Sequence, residues 1–276
     1  MKFYLNCWIP SINNYIKVSE LSLQQLETLS KYIVNDDDEG TCNYFEHIIQ
    51  TNVADINIQS KLTRLDKWFI LTSLKANNIS PKLVIKAKTA DDVDCTADYD
   101  LFNILTKVSE YTVQFESTLQ VKNFAATFQY PKTLFLNNVL VESLAAISLE
   151  NKTVDFASLP VNNKMQFLQT IDASLQELLK AYLHLQDSKI ELYLIQNFNN
   201  LKNIFDVKLN IFDNTLFYFL KSIYAPYAKS IYLKKYNLIS KLGFSLQDIN
   251  TLTPFEADIY LNIYNNEQKA LADNST

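Results

Sequence analysis

The chain has 276 residues, 48% of them hydrophobic and 20% charged, which is enough to bury a sizeable core and argues against disorder over most of its length. Only two glycines occur, Gly40 and Gly243, so the glycine-rich loops that cradle phosphates or dinucleotides cannot be written here. The formal net charge of −5 argues against a general nucleic-acid binder, whose affinity comes from a basic face.

From the N-terminus, Lys2 to Ile9 alternates and ends at Pro10, which predicts a strand. A turn through Ser11 to Asn14 and a second strand over Tyr15 to Val18 follow. Ser22-Leu23-Gln24-Gln25 has the form of a capping box, and Leu23, Leu26, Leu29 and Ile33 continue it at helical spacing to about Asn35. Asp36 to Gly40 reads as an acidic loop. Clustered carboxylates suit calcium, but the alternating ligands and closing Glu of an EF-hand are missing, so a solvated loop is the better reading. The same holds for Asp91-Asp92-Val93-Asp94.

Cys42 to Gln50 predicts a short helix, and Leu62 to Asn77 a longer one ended by Ser80-Pro81. Lys82 to Lys88 alternates as a half-exposed strand. Leu101 to Val108 predicts a helix, and Thr112 to Glu116, Leu119 to Val121 and Ala126 to Tyr130 predict strands. A small mixed β region from about 80 to 157 is the sum of these.

After Pro160 the period changes. Met165, Leu168, Ile171, Leu175, Leu178, Leu179, Tyr182 and Leu185 predict one amphipathic helix, or two broken near Asp172. Ile190 to Leu194 and Val207 to Ile211 read as a hairpin with Asn197 to Ile204 as its connection. Asp213 or Asn214 caps a helix to Tyr224, Pro226 interrupts it, and Ala228 to Leu242 resumes. Gly243 stands where a helix terminates, Ser245 to Asp248 opens a short helix or turn, and Thr253-Pro254-Phe255-Glu256 opens another. The tail from Glu267 is expected to fray. The expected class is α+β: N-terminal helices with a small mixed β region (1–157), then a mainly helical C-terminal module containing a β-hairpin (158–276).

Chemistry-bearing residues are few. Cys7, Cys42 and Cys95 are widely spaced and odd in number, which fits a reducing compartment and neither a disulfide framework nor a zinc site. His47 and His184 lie in different regions. A dyad of Cys42 with His47 is formally possible, although sequence proximity does not bring a base to a nucleophile. No serine stands in a nucleophile elbow. The expectation is a non-enzyme with no cofactor, metal, small-molecule substrate or nucleic-acid partner. The opening residues lack the apolar region of a signal peptide, and no apolar run approaches the length of a membrane span.

Two features bear on binding. Lys202 to Lys241 holds seven Lys against two Asp, a local +5, which reads as a solvated face or as a dock for an acidic partner. Phe212, Phe217, Tyr218, Phe219, Tyr224, Tyr227, Tyr232 and Tyr236 form an aromatic cluster. Most of such a cluster is core, and the rest suits an interface, where Tyr and Phe are enriched. Tyr224, Tyr227, Tyr232 and Tyr260 are the interface candidates. Trp68-Phe69 reads as core first and partner anchor second.

Leu65-Asp66-Lys67-Trp68-Phe69-Ile70-Leu71, with Leu74-Lys75-Ala76 and Ile79-Ser80-Pro81, resembles the helix-to-strand passage early in the baseplate hub proteins of T-even-type contractile-tailed phages. Phe217 to Lys221, Tyr232, Tyr236, Leu246 to Ile249 and Thr253 to Tyr260 look like that family's closing helical module. Trp8-Ile9-Pro10-Ser11 with Tyr15-Ile16 is similar to its opening strand–turn–strand. The resemblance implies a retained hub subunit or an assembly chaperone. It would act by binding other baseplate or tail proteins, in the virion or in the host cytoplasm during assembly, without catalytic residues. The alternative is a cytoplasmic adaptor or regulator outside any virion.

Overall fold

A computed structural model describes residues 4–88, 94–109, 118–121, 124–149, 152–185, 189–198 and 201–273. The fold is α+β, with small sheets towards the N-terminus and a mainly helical C-terminal region. The chain divides into two units interleaved in sequence. Unit 1 takes Met1–Lys61, Phe69–Leu105 and Phe219–Thr276, and unit 2 takes Leu62–Trp68 and Thr106–Tyr218. The boundary expected at 157/158 falls inside unit 2. No linker opens there: the Ala157 amide donates to the Ala145 carbonyl (2.8 Å), and the next helix packs within the same unit.

Unit 1 opens with the antiparallel hairpin β1 (Tyr4–Ile9) and β2 (Asn14–Ser19), paired from Tyr4 with Ser19 to Ile9 with Asn14. Helix α1 (Leu23–Val34) follows, and both halves of its Ser22–Gln25 capping box form. Its inner row is Leu23, Leu26, Leu29 and Ile33, steps of three, three and four that keep one face of a half-buried helix.

Of the acidic stretch expected as a loop, Asp36 and Asp37 lie outside the helices, whereas Asp38, Glu39 and Gly40 open α2 (Asp38–Asn52), with Asp37 accepting from the Gly40 amide as N-cap. Carboxylates in a first turn favour this by facing the positive end of the helix dipole. Gly40 is required by packing, because a Cβ there would run into the Tyr32 ring. Helices α3 (Ile56–Gln59) and α4 (Arg64–Asn78) follow. Strand β3 (Lys82–Lys88) pairs antiparallel with β4 (Asp94–Asp100). Asp94 is therefore a strand residue, while Asp91 to Val93 lie outside the described residues. Helix α5 is Leu101–Ser109.

Unit 2 holds an antiparallel meander in the order β5 (Thr118–Val121), β6 (Phe124–Phe128), β7 (Leu144–Leu149) and β8 (Lys152–Asp155), with α6 (Val139–Ser143) inserted before β7. Phe124, Ala126 and Phe128 alternate inward along β6, the period of two that a half-buried strand imposes. The strand expected over Thr112 to Glu116 lies outside the described residues. Helices α7 (Val161–Thr170) and α8 (Ala173–Leu185) break at Asp172 as the sequence suggested. The Ser174 amide donates to Asp172 Oδ1 (2.7 Å).

The hairpin β9 (Lys189–Phe198) and β10 (Leu201–Asn210) is longer than expected. Asn197 and Ile204, the ends of the expected connection, pair within the strands with Lys202 and Ile195.

Arg64 anchors this unit. It is fully buried and donates from Nε and Nη2 to the Leu134 carbonyl (2.9 and 2.6 Å), from Nη1 to the Ile211 carbonyl (2.9 Å) and from Nη2 to Asn214 Oδ1 (3.1 Å). Asn214 in turn donates to the Leu136 carbonyl and accepts from the Leu136 amide. With Asn214 so engaged, Asp213 supplies the cap of α9 (Thr215–Tyr224), accepting from the Thr215 amide (2.8 Å).

The chain then returns to unit 1. A 3-10 turn at Ala225–Tyr227 carries Pro226, and α10 (Ala228–Leu242), α11 (Leu246–Thr251) and α12 (Pro254–Asp273) complete the fold. The expectation of fraying from Glu267 is corrected, since α12 continues to Asp273.

Candidate interaction surface

Helix α10 is fixed by its inner row, Ile231, Lys235 and Leu238, all buried. Lys235 is the unexpected member. Its ammonium is held by the Glu27 carboxylate on α1 and by Asn250 Oδ1 (2.7 Å) on α11, so a charge occupies a core position at the cost of a dedicated partner set. Burial alone would raise the Glu27 carboxyl, but Lys235 and Lys31 together hold it below its ordinary value.

At the far end Gly243 takes φ +68°, a left-handed cap. The amides of Gly243 and Phe244 donate back to Ile239 and Leu238, closing a Schellman turn that glycine adopts without a Cβ penalty. The Thr253–Glu256 capping box then starts α12, and Lys234 on α10 bridges to Asp258 on α12 (2.8 Å).

With the inner faces set, the outer faces follow. On α10 the row Tyr232, Tyr236 and Ile239, flanked by Leu233, is exposed. It lies one residue on from the buried row, about 100° round the helix. On α12 Phe255, Ile259 and Ile263 recur every four residues, with Tyr260 beside them, and all four are exposed. Tyr236 is 66% exposed and Phe255 62%, so these are standing apolar surfaces and not edges of the core. Aromatic and aliphatic rows of this kind mark binding faces when they recur along an element.

The four tyrosine candidates separate. Tyr232 and Tyr260 belong to the exposed rows. Tyr224 does not: it is 3% exposed, packs on Phe45 and donates its hydroxyl to the Leu71 carbonyl (2.8 Å). It is a core residue, because its phase on α9 is that of Leu220 and not of the surface. Tyr227 is half-buried and receives the Lys75 ammonium over its ring, 4.2 Å from the centroid. Trp68 is wholly buried. The residues that sequence reasoning passed over are Phe255, Ile259 and Ile263, whose four-residue spacing was the available signal.

Three of the seven lysines of the stretch are paired within unit 1. Lys221 is paired with Asp36 and Asp38, Lys234 with Asp258 and Lys235 with Glu27. Their charge is met within unit 1, which also gives the acidic Asp36–Asp38 segment its role.

Of the chemistry-bearing residues, Cys42 is buried on α2 while His47 is exposed and stands beside the Tyr44 ring. The helix turns them to different sides. Burial pushes the Cys7 thiol up to about 11, against a weaker lowering by a hydrogen bond with Ser73. That disfavours the reactive thiolate. The His184 side chain lies outside the described residues. Among the described residues no group of three His, Cys, Asp or Glu could hold a metal ion, and no helix is long and apolar enough to cross a membrane. Set against protein-family models, curated proteins and solved structures, the chain matches none.

Proposed function

We propose that this protein is a non-enzymatic binding protein of a contractile phage tail, a baseplate hub subunit or hub-assembly chaperone that holds partner proteins through its C-terminal helices. The observation that carries the binding role is the pair of exposed apolar rows, Tyr232–Tyr236–Ile239 on α10 and Phe255–Ile259–Ile263 on α12. Covering them removes apolar surface from water at roughly 25 cal/mol per Å². The tail setting rests on the resemblance of the opening hairpin, the α4 passage and the closing helices to hub proteins.

The test is capture of the tagged full chain from infected cells, with mass spectrometry of purified particles alongside. Wild-type protein should capture hub or tail proteins, or be found in particles at fixed copy number. The Tyr236→Ser, Phe255→Ser double variant should lose most of that capture while its unfolding free energy moves by less than about 0.5 kcal/mol, as for surface positions. Capture of no tail protein, with absence from particles, sinks the tail reading. Undiminished capture by the double variant sinks the α10–α12 surface.

A further inference from the structure

Unit 1 contains a polar cavity of about 560 Å³ that the apolar rows do not use. Its wall is built where β2 runs into α1, where α2 ends, and where α11 passes into α12. Of the twelve lining residues Leu252 is the one apolar member, and none is basic. Two carboxylates line it, Glu20 and Glu256. Burial and the Glu256 charge hold the Glu20 carboxyl above its ordinary value, against a hydrogen bond from Thr253 that lowers it.

The hydrogen-bond inventory of the wall decides what it can bind. Asn52, 4% exposed, gives both amide hydrogens to the Ser19 and Glu20 carbonyls (2.9 Å each). Gln25 gives its amide hydrogens to Thr51 Oγ1 (3.1 Å) and Asn52 Oδ1 (2.7 Å). The Thr253 hydroxyl bonds Glu20.

Two helix N-termini open towards the cavity, which would ordinarily favour an anion. Here five of the amides are already engaged. The Leu23 amide goes to the Leu252 carbonyl (2.8 Å), those of Ser22 and Gln25 close the first capping box, and those of Thr253 and Glu256 close the second. The donors of Asn52 and Gln25 and the capping amides are thus engaged internally, and the two carboxylates add acceptor capacity and negative charge to the wall. A carboxylate has about four acceptor sites, and the internal bonds to Glu20 and Glu256 leave most of theirs. The lining has no aromatic residue on which a sugar ring could stack.

We propose that this cavity binds a guanidinium or primary ammonium group, held between the carboxylates of Glu20 and Glu256. Such a group supplies several donors and the positive charge that the paired carboxylates lack. It can arrive as an arginine or lysine side chain of a bound polypeptide or as a free organic cation. The cavity is separate from the exposed rows of α10 and α12, so its occupancy stands or falls independently of the tail reading.

The test is titration of the full chain with agmatine, which carries one guanidinium and one ammonium, following the backbone amide resonances of Gln25, Asn52 and Thr253. Saturable shifts with a dissociation constant of about 1 mM or tighter are expected. The Glu20→Gln, Glu256→Gln double variant should weaken binding about tenfold or more, as expected where charged hydrogen bonds are lost. The variant keeps its fold, because Gln serves equally at the third position of a capping box, and an unchanged thermal transition verifies this. A capped tripeptide with a central arginine separates the two sources: tighter binding than agmatine assigns the site to a polypeptide side chain, weaker binding to a free cation. No saturable shift with either probe overturns the proposal. So does equal affinity of the double variant, or tighter binding of calcium chloride than of agmatine.

Discussion

Helix α4 carries a fully buried cation near each end, Arg64 in unit 2 and Lys75 in unit 1, and the two are accommodated by different physics. Arg64 stands in the first turn, where the helix dipole opposes a positive charge. It is held by two carbonyls and an amide oxygen through three different nitrogens. Lys75 stands in the last turn, where the dipole favours it. It has the Ser80 carbonyl (2.6 Å) and the Tyr227 ring, and burial pushes its ammonium down to about 8. The guanidinium cannot shed its proton at any ordinary pH, so unit 2 is built around a permanent charge; the ammonium of unit 1 can be neutralised. A planar fork of donors suits the first task and a titratable point charge the second.

The strongest way to break this comparison is at Arg64. Arg64→Ala takes the guanidinium donors from the Leu134 and Ile211 carbonyls and one of two donors from Asn214 Oδ1, and should cost about 3–5 kcal/mol in unfolding free energy. Arg64→Lys should recover only part of that, because one ammonium cannot reach acceptors arranged for a fork. Denaturant unfolding midpoints measure both, and a lysine variant as stable as wild type would refute the need for a guanidinium fork at this position.

Lys75 should behave in the opposite sense. Its folded pKa lies below the unfolded value, so below pH 8 the buried charge is carried in full and the folded state is penalised. As pH rises from about 8 towards 10.5, the folded state has released a proton that the unfolded chain still binds, and stability rises. The gain is on the order of 2 kcal/mol after allowance for screening, measured as the difference between wild type and Lys75→Met in unfolding experiments over that range. Parallel profiles for the two proteins would show that Lys75 keeps its ordinary pKa.

What the sequence made legible was governed by near neighbours. The Ser22–Gln25 box, the glycine stop at Gly243 and the Thr253–Glu256 start all depend on residues within one turn, and all formed. What stayed hidden crosses long separations. Arg64 reaches acceptors 70, 147 and 150 positions away, and Lys221 reaches Asp36 across 185. No pattern in a window reports either, and the interleaving of the two units follows from such contacts.

The face of α10 was hidden for another reason. Tyr232, Tyr236 and Ile239 make a better apolar stripe than Ile231, Lys235 and Leu238, yet the second row is the buried one, because Glu27 and Asn250 compensate Lys235. An aromatic cluster read from sequence therefore mixed core Tyr224 with surface Tyr232. The cavity was invisible too: Glu20, Asn52 and Glu256 converge from three segments, and the capping box that holds Glu256 says nothing of the other two.

The smallest effects should come from two glutamates of unit 1 whose carboxyls are displaced in opposite directions. Glu27 is held below its ordinary value of 4.5 by Lys235 and Lys31 despite burial, so its contribution is present above that value and is lost as pH falls through the lower folded value. Glu20 is held above 4.5 by burial and Glu256. Its penalty is present at neutral pH and is relieved as pH falls through the raised folded value towards 4.5. At pH 7, Glu27→Gln should therefore destabilise by about 1–2 kcal/mol, since the buried Lys235 side chain loses its carboxylate partner. Glu20→Gln should be neutral or slightly stabilising, because Gln still accepts from Thr253 without the charge. Below pH 4.5 the order should narrow, as Glu27 protonates in the wild type and the Glu20 penalty disappears. Thermal transitions of the three proteins at pH 7 and pH 3.5 measure this directly. A Glu20→Gln variant that lost stability at pH 7 as Glu27→Gln does would mean that Glu20 already has a cationic partner, and that the cavity wall is not poised for an external one.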